Sequence, residues 1–165
     1  MTKTGLLESL KAFTQETVKD LLLPMRAQKS DTEETPTQRP PDVYMTRLPE
    51  MKASDKKAPY IIHSVITSRD TQEQGEQVKS SATVRTVCCV YHEDEQEGGL
   101  ALLNLTERIR MEMLRRVVID IYELDMGQGI EMLIYPDDTA PYFIAEMVTV
   151  WKLPPIKREV RELWP

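Results

Sequence analysis

With 165 residues, 41% of them hydrophobic, the chain has material for one buried core and one domain of ordinary size. Its 27 acidic residues outnumber 21 Lys and Arg, and the resulting charge of -6 works against direct binding of a phosphate backbone. The longest apolar run, around Leu21 to Leu23, is far below the roughly 20 residues that span a bilayer, and Glu8, Lys11 and Glu16 break up the N-terminal leucines, so neither a membrane span nor a signal peptide is expected.

Leu6, Leu7, Leu10, Phe13, Val18, Leu21 and Leu22 recur at helical spacing opposite Glu8, Lys11, Gln15 and Lys19. They predict an amphipathic helix from Thr4, its N-cap, to about Leu22, stopped by Pro24. Its apolar stripe is expected to dock on the domain's own sheet, with a contact to a neighbouring subunit as the alternative. Residues 26–58 are polar and rich in Pro and Thr, which predicts an extended loop region. Within it, Tyr44 to Leu48 reads as a short edge strand, and Lys52, Lys56 and Lys57 as a solvated loop.

From Pro59 the pattern changes. YIIHSVITS and SSATVRTVCCVY, the second covering Ser80 to Tyr91, are rich in β-branched residues and predict two strands paired antiparallel across a polar loop. Cys88 and Cys89 are adjacent, so a strand turns them to opposite faces and they are poorly placed to bond each other. His63 and His92 do not supply the short spacings of a zinc site, and the two cysteines read as small core residues.

The acidic turn HEDEQEGG leads into LALLNLTERIRMEMLRR, where Leu102, Leu105, Ile109 and Met113 form one helical stripe. Glu93, Asp94, Glu95 and Glu97 are expected ahead of this helix's positive end and Arg115 and Arg116 near its negative end, complementing the dipole. The same acidic cluster is a candidate for contact with a partner. VVIDIYELD and IEMLIYPDD read as two short strands separated by a turn at Gly127 to Gly129. In APYFIAEMVTVW, Tyr142, Ile144, Val148 and Val150 alternate with Phe143, Ala145, Met147 and Trp151, which predicts a strand covered on both faces and ended by Pro154 and Pro155. Glu146 is the exception, and must be paired, exposed at an edge or placed at an interface. In the tail, Trp164 is a further candidate anchor on a partner.

No phosphate-binding glycine loop, dinucleotide fingerprint or nucleophile elbow is present in the sequence. His63 and His92 have no Ser or Asp motif beside them. Asp137 and Asp138 fall in the turn YPDDTAPY, where carboxylates commonly cap backbone. Non-enzymatic action without metal or cofactor is therefore expected, the rival reading being a small hydrolase that uses Asp137, Asp138 and a histidine.

Three features in order carry a resemblance to a known family: an acidic turn followed by an L-N-L-x-E-R-I-R helix, a Tyr-Pro turn before the last strand, and E-M-x-T-x-W-x-x-P formed by Glu146, Met147, Thr149, Trp151 and Pro154. Over about Tyr60 to Ile156 the chain resembles the tail terminator, or tail completion, proteins of tailed phages and prophages. The resemblance implies a structural subunit that forms a hexameric ring with copies of itself, caps the major tail tube protein, stops its polymerisation and joins head completion or neck proteins. It implies residence in the host bacterial cytoplasm during assembly and then in the virion tail or neck; a head completion or adaptor protein is the neighbouring alternative. The expected fold is α+β, a mixed, mainly antiparallel sheet packed by two helices. A single domain is expected, with an N-terminal helix at 1–24, the polar region at 26–58, a core at 59–156 and a tail at 157–165.

Overall fold

A computed structural model of the chain describes residues 2–50, 58–136 and 139–159. The fold is α+β, with two helices against a mixed, mainly antiparallel sheet. Helix α1 spans Lys3–Val18, a little before the expected bounds, because Thr2 rather than Thr4 caps it: its hydroxyl accepts the Gly5 N–H at 3.0 Å. At the other end the Leu21 N–H closes on the Val18 carbonyl, and the chain becomes extended. This puts Leu23 in the core and leaves Leu22 exposed.

Residues 26–50 of the polar region hold more regular structure than expected. Strand β1 (Leu23–Pro24) pairs antiparallel with β2 (Gln38–Arg39), closing the intervening loop on itself. Strand β3 covers Asp42–Met45, not Tyr44 to Leu48, and ends where Thr46 turns to a φ of 68°. It runs parallel to β4 (Tyr60–Thr71). Lys52, Lys56 and Lys57 lie outside the described residues.

Strand β4 pairs antiparallel with β5 (Lys79–Tyr91), as their composition predicts. Helix α2 spans Glu95–Arg116 and starts five residues earlier than expected. Asp94 is its N-cap, accepting the Glu97 N–H at 2.9 Å, and the helix runs through Gly98 and Gly99 despite their low propensity. Gly98 is tolerated for a reason of space, since a Cβ there would overlap the Phe143 ring. Glu95 and Glu97 accordingly occupy the first turn rather than preceding it, still beside the positive end of the dipole.

The segment read as one strand after α2 is broken in two. Asp120, at a φ of 55°, turns β6 (Val118–Ile119) back on β7 (Tyr122–Leu124). A turn in which Gln128 and Gly129 donate to the Asp125 carbonyl then leads to β8 (Ile130–Ile134). Strand β9 (Tyr142–Leu153) ends at Pro154 and Pro155 as expected. The sheet order is β3-β4-β5-β9-β7-β6, and β8 pairs with β9 further along the edge that β7 uses.

Both helices pack on one face of this sheet. Thr14 of α1 meets His63 of β4, while Gly98 of α2 meets Phe143 of β9, and the strand registers put His63 and Phe143 on the same side. Leu6 and Leu10 of α1, Leu105 and Ile109 of α2, and Met147 and Trp151 of β9 are fully buried there. The apolar stripe of α1 is thus spent on its own domain. The expectation that β9 is covered on both faces is overturned: Ala145, Met147, Thr149 and Trp151 are buried, but Ile144, Glu146, Val148 and Val150 are only half-buried. Both helices lie on the other side, so neither covers the second face.

Candidate functional site

The second face of the sheet is built by alternation. From β4 it takes Ile62 and Ser64, from β5 Thr83, Arg85 and Val87, from β9 Ile144, Glu146, Val148 and Val150, and from β8 Glu131 and Leu133. Neither α1 nor α2 lies over it. A sheet face turned to water usually shows polar side chains; here six of these eleven residues are aliphatic, with Arg85, Glu131 and Glu146 set among them. At one end a small cluster of Ala58, Cys89 and Tyr91, packed by Tyr60, Tyr142 and Ile144, closes the face. Leu133 at the other side is 55% exposed, and the patch continues there into Tyr135, 39% exposed.

Glu146 sits in the middle of this face, across from Val87 on one side and Leu133 on the other. Its carboxylate accepts the Tyr135 hydroxyl at 3.1 Å, and that bond raises the phenol above its ordinary pKa, helped by burial and by the carboxylate's charge. Arg85 is a diagonal neighbour on the next strand, opposite Val148. Among these residues the charged ones are Glu131, Glu146 and Arg85, set on an apolar ground.

The other candidate residues are placed elsewhere. Glu93, Asp94, Glu95 and Glu97 are exposed at the start of α2, away from Glu146. Asp94 serves as the cap, and Glu93 accepts the Tyr91 hydroxyl at 3.4 Å. Trp164, Asp137 and Asp138 lie outside the described residues. Within the signature at the last strand, Met147, Thr149 and Trp151 all face the core, where the indole Nε1 donates to Thr149 Oγ1 at 2.9 Å. Most of that signature is thus explained by packing, and Glu146 alone carries it to the open face.

The histidines have local partners. His63 is fully buried, with Nε2 2.8 Å from Thr14 Oγ1 and Nδ1 2.8 Å from Thr86 Oγ1, and burial lowers its pKa to about 4. His92 Nδ1 accepts the Asp94 N–H at 3.0 Å in the turn before α2. Cys88 and Cys89 point to opposite faces as alternation requires; both are buried free thiols, and burial raises them to about 12 and about 11. Among the described residues no three His, Cys, Asp or Glu side chains converge as a metal set. No helix among them is long and apolar enough to cross a membrane.

The open face was missed in the sequence because half-shaded valines and isoleucines have the same alternation as buried ones. The signal that could have found it is the helix count: two helices cover one face of a broad sheet. No protein-family model matches this chain, and no curated protein matches it.

Proposed function

We propose that this chain is a structural subunit of phage tail assembly, a tail terminator that caps the tail tube as a hexameric ring and presents a surface for joining the head. The observation that carries the proposal is the partly aliphatic second face of the sheet, continuous with Leu133 and Tyr135 at the flank of β8. An apolar surface of this kind gains by being buried against protein. The resemblance of residues 60–156 to tail terminators supports the same reading. So does the net charge of -6, which suits contact with protein rather than with the nucleic acid that passes through a tail.

Stopping a polymer requires that one surface bind the last ring of the tube while the opposite surface fails to template another. A subunit with one helical layer and one bare sheet layer has two chemically distinct sides with which to make that distinction. The test is to polymerise major tail tube subunits with and without the purified chain and to measure tube lengths by electron microscopy. Shortened, length-limited tubes are expected. Unchanged tubes, together with binding confined to portal or capsid material, would move the chain to the neck as a head completion or adaptor protein.

A further inference from the structure

Among the described residues no strand pairs with the outer flank of β8. The Tyr135 N–H donates to the Ile144 carbonyl at 3.0 Å, continuing the β8–β9 register. Antiparallel ladders alternate bonded and unbonded pairs. Leu133 and Glu131 therefore turn their backbone groups toward β9, while Ile130, Met132 and Ile134 present N–H and C=O groups away from the sheet. Edge strands are usually blunted by lysine, proline, a bulge or a covering element. From Glu123 to Tyr135 the sequence holds no basic residue and no proline, and β8 itself reads IEMLI.

The opposite border of the same sheet is β3. The Asp42 N–H donates to the Pro59 carbonyl at 3.2 Å and the Thr46 N–H to the His63 carbonyl at 2.8 Å. In this parallel register Asp42, Tyr44 and Thr46 bond β4, and the Val43 backbone groups and the Met45 N–H turn outward, while the Met45 carbonyl accepts the Arg47 N–H at 2.9 Å. Just beyond β3 stands Arg47, exposed and without an ion pair among the described residues. Glu131 on β8 is likewise exposed and unpaired among them. One border of the sheet thus carries a free acid beside open strand backbone, and the other a free base beside open strand backbone.

We infer that β8 of one copy receives the β3 border of a second copy, with Glu131 meeting Arg47, so that the sheet continues from subunit to subunit. The inference rests on the ring-forming reading above and names the contact that makes the ring. The occupant is another copy of this chain because the two borders complement each other in charge. Joining unlike borders is also the heterologous contact that closes a ring, whereas β8 meeting β8 would stop at a dimer.

The experiment is sedimentation velocity of the full chain over a concentration series, with far-UV circular dichroism on every variant. Ile134→Pro removes an outward N–H but no bond to β9, a position where an edge strand accepts proline. Wild type is expected to associate with rising concentration and Ile134→Pro to remain monomeric with an unchanged spectrum. Glu131→Lys and Arg47→Glu should each weaken association at least about tenfold, and the double variant should recover most of it. If Ile134→Pro loses its native spectrum, the charge-reversal pair decides alone. The inference is overturned by a wild type that stays monomeric at its highest soluble concentration, by Ile134→Pro associating as wild type, or by reversals that do not compensate. Loss of tube-subunit binding in Ile134→Pro with self-association intact would give the edge to the tube instead, and would equally overturn it. The tube-length assay reads separately: capped tubes with no β8 effect keep the function and discard this contact, and β8-dependent association without capping does the reverse.

Discussion

Thr14 and His63 meet at 2.8 Å inside the core, hydroxyl to Nε2, and this bond ties α1 to the sheet. With Nδ1 against Thr86 Oγ1, a neutral imidazole has both nitrogens satisfied by hydroxyls, which can donate or accept. Burial holds the folded pKa near 4 against an ordinary 6.5. Between those values the unfolded chain binds a proton that the folded chain refuses. Stability is therefore whole above the unfolded pKa, declines as pH falls from about 6.5 to about 4, and loses about 3 kcal/mol at most from this group. Urea midpoints measured across that range should fall more steeply for wild type than for His63→Gln, and equal slopes would remove His63 as the cause.

Gly98 lies in the first turns of α2 against the Phe143 ring. On propensity alone, Gly98→Ala should stabilise a helix by up to about 1 kcal/mol. The ring occupies the space the new methyl needs, so the expected result is a net loss of about 1–2 kcal/mol from overpacking. In a Phe143→Leu background the sign should change and Gly98→Ala should stabilise. Chemical denaturation of the four proteins gives the coupling directly, and simple additivity would contradict the packing argument.

Thr149→Val keeps the shape of the side chain but leaves the buried Trp151 indole N–H without its acceptor. A loss of about 1–3 kcal/mol is expected, larger than a change of volume explains. Trp151→Phe in the Thr149→Val background should recover part of it, because the orphaned donor is then gone. The check is thermal or urea unfolding followed by near-UV circular dichroism.

Asp94→Ala removes the side-chain acceptor for Glu97 N–H and should cost about 1 kcal/mol, or about 2–4 °C in Tm. Asp94→Asn keeps the acceptor and removes the charge, so it should stay within a few tenths of a kcal/mol of wild type. If the acidic cluster at Glu93 to Glu97 also guides a partner, Asp94→Asn will slow tube capping without lowering Tm.

The long elements were legible because periodicity accumulates over many residues: β4, β5, α2 and β9 all lie close to where their patterns put them. Short elements were not. Two residues carry no period, so the Leu23–Pro24 and Gln38–Arg39 pairing left no trace, and nothing in VVIDIYELD announced that Asp120 adopts a left-handed conformation. The start of α2 was hidden by Gly98 and Gly99, which argue against a helix until the Phe143 ring is seen beside them. Glu146 was singled out as an anomaly in an apolar strand, but its partner Tyr135 stands just past the end of β8 and no local spacing announces it. Exposure of Leu133 and Ile134 depends on β8 standing at a border, a property of the whole sheet.

Among the described residues strand β9 comes last in sequence yet stands near the middle of the sheet, between β5 and the β7 and β8 segments. During translation its neighbours therefore emerge before the strand that joins them. β3, β4 and β5 can pair early, and β6 can turn on β7, but these two groups remain separate until residues 142–153 have left the ribosome. Such late closure between distant segments is slow, and it leaves strand borders unpaired for as long as it lasts. Until β9 has emerged the nascent polypeptide has no completed sheet with which to engage other copies, so assembly competence waits on that one strand.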